Sequence, residues 1–218
     1  MRDEYRADLL QVNKLLVWMA DAVRSAMKRA TNALLNADQT DAEEVIARDA
    51  EVNALYRLVE DKVYDLCARQ APVASDLRLL LTALHLAADL ERMGDLADHV
   101  AKTALRRHPA RAVPEPLVET FVQMGEVADR IAGKISSAIS NLDIVAAAQL
   151  DRDDDAMDKL HTSLFGIMFS PQWTEDTESA VDSALLGRFY ERYADHAVNA
   201  GRHVVFLVTG ETLDTREH

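Results

Sequence analysis

Five prolines fall at only three places in this chain, and that spacing constrains the fold more than any other feature. Pro72 stands alone, Pro109, Pro114 and Pro116 form a second group, and Pro171 marks a third break. Proline removes a backbone donor and clashes with the preceding helical turn, so each group reads as the end of a helix. Between the breaks, apolar residues recur at helical period. Leu9, Val12, Leu16, Met19, Val23, Ala26, Ala30 and Ala33 alternate steps of three and four, a coiled-coil-like stripe. A second helix is expected over 41–69, with Thr40 or Asp41 as N-cap and Val52, Leu55, Val59, Val63 and Leu66 on one side. A third opens at Ser75, a natural N-cap, and runs to Arg107, where Arg106, Arg107 and His108 suit the negative end of the helix dipole. Three such rods, each roughly 50 Å long at 1.5 Å per residue, read as an up-down-up bundle.

The second half repeats the plan, with helices expected over 116–148, 149–169 and 175–209, the last ending at Gly210. The repeat is visible at residue level. Asp49-x-x-Val52-Asn53-x-Leu55 matches Asp154-x-x-Met157-Asp158-x-Leu160, and Glu91-Arg92-x-x-Asp95 matches Glu191-Arg192-x-x-Asp195. The expected fold class is therefore all-α: two tandem, pseudo-symmetric three-helix bundles of six long helices, divided into residues 1–109 and 110–218.

Composition excludes several alternatives. Only 7 glycines in 218 residues leave little for a turn-dense sandwich or a glycine-rich phosphate loop. The single Cys67 rules out a disulfide framework or a cysteine zinc site, and reads as a buried, inert thiol in a reducing compartment. A net charge of -13 argues against nucleic acid and against direct docking on an anionic membrane. Met1 to Arg6 has no apolar leader character, and Leu77 to Leu90 is too short and too interrupted to span a bilayer, so a cytoplasmic protein is expected.

The chemistry lies in the acids. Carboxylates four apart stack on one helix face and repel unless a cation lies between them. Glu91/Asp95 and Glu191/Asp195 form such pairs, and Asp49/Asn53 and Asp154/Asp158 offer partner pairs in each half. These are hard oxygen ligands, suited to magnesium, calcium, manganese or iron and accepted by zinc. Most acid pairs in an acidic protein are only solvated faces, but these recur at equivalent places. Glu91 and Asp95 also extend the apolar stripe Leu77, Leu81, Leu84 and Ala88. His99, Asn199, Asp98 and His196 lie near the edge of the acid pairs. The Glu-x-x-His signature of di-iron oxidases is absent, Asp158-x-x-His161 being the nearest approach. A carboxylate-bridged metalloenzyme is the competing class, weakened further by the lack of any hydrolase elbow or P-loop.

Gln70 to Arg78 with Ala87 to Asp95, and Glu191 to Ala197 through Val208 to Glu211, resemble the two repeat signatures of PhoU proteins. The resemblance covers nearly the whole chain. It implies a cytoplasmic regulator of phosphate homeostasis rather than an enzyme, with no catalytic residues. Such a regulator couples a high-affinity phosphate ABC transporter, through its ATPase, to a sensor histidine kinase, and restrains both uptake and the phosphate-starvation response. It reaches the membrane only through protein partners and is commonly a homodimer. The resemblance also implies multinuclear metal clusters (iron, zinc, manganese or magnesium) held by Asp49, Asn53, Glu91 and Asp95 in one half and by Asp154, Asp158, Glu191 and Asp195 in the other. Asn53 stands where an acid would complete the first set, which lowers its charge.

Overall fold

The computed structural model describes residues 2–211. Its helices follow in the order α1 (Arg2–Asn36), α2 (Gln39–Gln70), α3 (Ala74–Arg107), α4 (Val118–Asn141), α5 (Ile144–Ala148), α6 (Leu150–Met168) and α7 (Thr177–Thr209). A 3-10 turn at Glu115–Leu117 leads into α4. Six helices are long, α5 is a short one, and no strand occurs among the described residues. The all-α reading holds.

The helix breaks sit where local chemistry puts them, with three departures from the sequence reading. The Asp38 side chain, rather than Thr40 or Asp41, caps α2, its Oδ1 accepting from the Asp41 N–H at 3.0 Å. The helix α3 begins at Ala74, so Ser75 lies inside its first turn, and no side chain caps it. The largest departure is in the second half. The chain leaves α4 at Leu142, which takes left-handed backbone angles (φ 52, ψ 42). Asp143 then caps α5 by accepting from the N–H groups of Val145 and Ala146. Residues 144–148 therefore belong to the arm that precedes α6, not to the end of the fourth long helix.

Each half is a three-helix unit, α1 with α2 and α3, and α4 with α6 and α7. The units do not stand apart: α1 packs on α4, and α3 packs on α7. One core runs through both. The expected α1 stripe is mostly buried, and Leu15, Ala20, Met27 and Leu34 widen it because α1 touches α2, α3 and α4 together. On α2, Val52, Val59, Val63 and Leu66 are buried and Leu55 is half-buried. Tyr190 and Tyr193 are fully buried at the centre, their hydroxyls bonded to Thr31 Oγ1 at 2.7 Å and to the Val23 carbonyl at 3.3 Å. Cys67 is half-buried rather than buried.

Ion pairs stitch the two halves. Arg24 on α1 grips Asp129 on α4 with two hydrogen bonds, of 2.8 and 2.9 Å. Arg106 and Arg107 at the end of α3 converge on Asp182 near the start of α7. Asp182 is buried, so its charge is tolerated because two guanidinium groups meet it.

Candidate metal centres

In the first half, α2 brings Asp49 and Asn53 opposite Glu91 and Asp95 of α3. Close approach of the two helices is possible because Gly94 has no side chain: a Cβ there would lie 3.2 Å from Val52 Cγ1. All four candidate ligands are half-buried. Burial pushes Asp49 above the usual carboxylate range, and the negative charges of Asp98 and Asp95 add to the effect. Burial also raises Glu91, with Asp95 adding to the rise and Arg92 opposing it. The acids thus form one electrostatic group across two helices. The group is largely answered from within the protein. The Asn53 amide donates to Asp49 Oδ2 at 2.9 Å. Arg92 donates to Asp95 Oδ2 at 2.8 Å and approaches Glu91 at 3.5 Å.

Asp98 belongs to this group more intimately than its place at the edge suggested. It is buried, and its Oδ2 meets Lys102 Nζ at 2.5 Å while Oδ1 has no hydrogen-bond partner. Its spacing carried the signal: seven residues after Glu91 and three after Asp95 keeps it on the same helix face.

The second half is more strained. Asp154 on α6 is half-buried, and burial, followed by Asp158, Asp195, Asp151 and Glu191, raises its pKa to about 7. Glu191 on α7 is half-buried and is raised chiefly by burial, and Asp195, one turn further on, is raised in the same direction by desolvation although its side chain is exposed. Asp158 is exposed on α6. Arg188 pairs with Glu191 Oε1, but Glu191 Oε2 and Asp154 Oδ1 are buried without a partner. His161 Nε2 is buried and unpartnered too, on the same helix as Asp154. Orphaned buried oxygens next to mutually repelling carboxylates are what a hard cation would relieve. Among the described residues, no three His, Cys, Asp or Glu side chains converge closely enough to grip an ion as they stand. The donor chemistry of the second set fits a multivalent cation, whereas in the first set the Asn53 amide already satisfies one Asp49 oxygen and Arg92 already answers Asp95.

Two features of the sequence reading change. The stripe that was expected to bury Glu91 and Asp95 is itself open: Leu77 and Leu81 are 37% and 48% exposed, and Ala88 is exposed. The half-burial of the acids comes from α2 instead. His99 and His196 line a cleft between α3 and α7 that Asp95 also borders, and His196 lies near enough to Glu91 and Asp195 to oppose the rise of both. There His99 stacks on Phe189 at 5.2 Å, and His196 Nδ1 lies 3.0 Å from Asp89 Oδ1. Asn199 accepts a long bond from Arg202 at 3.5 Å, and the same guanidinium reaches Asp151 at 3.4 Å.

Comparison with known proteins adds a family. The family model described as PhoU domain matches residues 16–104 and 121–204. A Mycobacterium tuberculosis protein named phosphate-specific transport system accessory protein PhoU homolog 2 is 43% identical over 210 residues, covering 96% of this chain and 99% of that protein. PhoU homolog 1 of Mycobacterium leprae is 42% identical, covering 96% of this chain and 95% of its own length. The crystal structure of PhoU from Pseudomonas aeruginosa superposes with a TM-score of 0.86 at 27% identity, over 95% of this chain and all of that one. These relatives are named as accessory proteins, not as enzymes.

Proposed function

The chain belongs to the PhoU family, and on that premise we propose that it is an accessory regulator of a phosphate-specific transport system. It acts by binding. Its partners are the transporter ATPase and the cytoplasmic region of a sensor histidine kinase, and its effect is to restrain phosphate uptake and the starvation response. Among the described residues no helix is long and apolar enough to cross a membrane. The observation that carries the reading is the pairing of each carboxylate set with exposed apolar side chains. Leu81 stands ten residues before Glu91, and Val181 ten before Glu191, at 48% and 53% exposure. Exposed aliphatics at equivalent places on two long rigid helices suit protein contact. They do not suit catalysis, which would need enclosure and positioned nucleophiles.

Metal ions enter as structural braces. Asp154, Asp158, Glu191 and Asp195 would hold one group of ions, and Asp49, Asn53, Glu91 and Asp95 the other; what bound cations supply is charge compensation that ties α6 to α7 and α2 to α3. The chain is proposed to work as a homodimer.

The test is genetic and biochemical. In a host whose other PhoU-family genes are removed, deletion of this gene should leave phosphate-scavenging genes expressed in rich phosphate. Tagged wild-type chain should retain the transporter ATPase and the kinase on affinity resin, and the double substitution Leu81→Asp, Val181→Asp should release them. Normal repression in the deletion strain would overturn the regulatory role.

A further inference from the structure

The cleft between α3 and α7 is set apart by its chemistry. In a protein of net charge -13 it is lined by three arginines and two histidines. Arg92, Asp95 and His99 face it from α3, and Arg188, Arg192 and His196 from α7. Leu96 and Phe189 complete the lining, and the space is about 270 Å³. Arg92 and Arg192 occupy equivalent places in the two repeats, so the seam between the repeats brings two related guanidinium groups to one cavity.

The state of each group bears on what the cleft takes. Asp95 is its one acid, and Arg92 already donates to it at 2.8 Å. Arg188 is held by Glu191. Arg192 makes no ion pair and no side-chain hydrogen bond among the described residues, although it lies near enough to Asp195 to feel its charge. Asp89 engages Nδ1 of His196 and leaves Nε2 as the ring nitrogen without a protein partner among the described residues. Phe189, stacked on His99, supplies an apolar wall that strengthens charge interactions beside it.

We propose that this cleft is a binding site for a tetrahedral oxyanion of the phosphate type, free or carried on a small molecule. Arg192 is its uncommitted fork, Arg92 and Arg188 flank it, and His99 and His196 close it. Guanidinium groups present paired N–H donors that match the oxygens of phosphate, which a lysine point charge does not. The volume exceeds what a bare phosphate fills, which leaves room for a carrier group. The inference stands on the cleft alone. It depends neither on the regulatory reading nor on metal at the carboxylate sets.

Equilibrium dialysis tests it, with full-length protein passed over chelating resin so that anion bound through a metal cannot contribute. Radiolabelled inorganic phosphate and radiolabelled ATP are the two probes. Saturable binding of phosphate assigns the site to the free ion; binding of ATP alone assigns it to a phosphate carried on a larger molecule. In either case Arg192→Ala should weaken binding about tenfold, the loss of one charge-assisted contact. Arg192→Lys should weaken it by about threefold, because charge remains and the fork is lost. Arg57→Ala, an exposed arginine on α2 outside the cleft, should leave binding unchanged. Absence of saturable binding of both probes up to about 10 mM would overturn the proposal. So would equal weakening by Arg192→Ala and Arg57→Ala, since that is a general charge effect.

Discussion

Replacing Asp154 with asparagine in chelator-treated protein tests the electrostatics of the second carboxylate set. Burial and the facing acids raise this carboxyl from 3.8 to about 7. A carboxyl with a folded pKa above its unfolded value holds its proton more tightly in the fold. The stability it contributes is complete below about pH 4 and is lost as pH rises through about 7. Undiscounted, the interval corresponds to about 4 kcal/mol at 1.36 kcal/mol per pH unit. The side chain is only half-buried, and solvent screening brings the figure to about 2 kcal/mol. Asparagine resembles the protonated acid in size and charge. Relative to wild type, Asp154→Asn should therefore gain about 2 kcal/mol at pH 8, or about 5 °C in Tm for a chain of this size, and the gain should fade toward pH 4. Urea denaturation across that range gives the difference curve, and subtraction removes acids that shift the other way, such as Asp129 beside Arg24. Manganese added at pH 8 should stabilise wild type and do little for the variant. A difference that is flat with pH, or a wild type more stable than the variant in chelator at pH 8, would refute the reasoning.

Three further perturbations follow from the packing. Asp182→Ala should cost about 2 kcal/mol by thermal melting, because it removes the buried carboxylate that Arg106 and Arg107 share, leaves Arg107 only its 3.4 Å contact with Glu178, and loosens the end of α3 from α7. Gly125→Ala should cost about 1–3 kcal/mol by urea denaturation: the new Cβ would fall 2.6 Å from Thr31 Cγ2, and the stiff threonine also holds Met27 and Tyr190 by hydrogen bonds. Asn53→Asp should lower the stability of metal-free protein by about 1 kcal/mol through repulsion with Asp49 and raise the metal retained per chain by elemental analysis. Unchanged metal content with unchanged stability would remove the first set from consideration as a cation site.

The periodic features were the legible part of the sequence. Proline groups and the three-four apolar alternation located six long helices, because both report directly on backbone hydrogen bonding and burial. The missed break at Leu142 was also written there, as a turn signal rather than a period. Asn36-Ala37-Asp38 recurs as Asn141-Leu142-Asp143 at an offset of 105, the same offset that relates Asp49 to Asp154. In each case the middle residue is left-handed and the aspartate caps the next helix. Read with that offset, α5 and α6 together are the counterpart of α2. The carboxylate pairs were found by spacing, but their partners were not. Which arginine answers which acid depends on helices a hundred residues apart, and no local pattern encodes it. The exposure of Leu77 and Leu81 escaped for a related reason: an apolar stripe reports that a face avoids water, not whether this chain or another covers it.

The uneven charge of the two halves acquires a structural meaning through those distant partners. Residues 1–109 carry a net charge of -3 and residues 110–218 a net of -10. Part of the second half's excess is answered across the seam, where Arg24 meets Asp129 and Arg106 and Arg107 meet Asp182. Another part is answered within the half, where Arg130 and Lys134 of α4 enclose the buried Asp153 of α6 at 2.9 and 2.6 Å. The run Asp153-Asp154-Asp155 therefore splits three ways: Asp153 is paired in the core, Asp155 is exposed to water, and Asp154 is left half-buried with an orphaned oxygen. Solubility alone does not require an acid in Asp154's position, since the exposed acids supply that charge without cost to the fold. Retaining it means that the isolated chain carries an electrostatic penalty localised at the α6–α7 face, which a bound cation would turn into attraction.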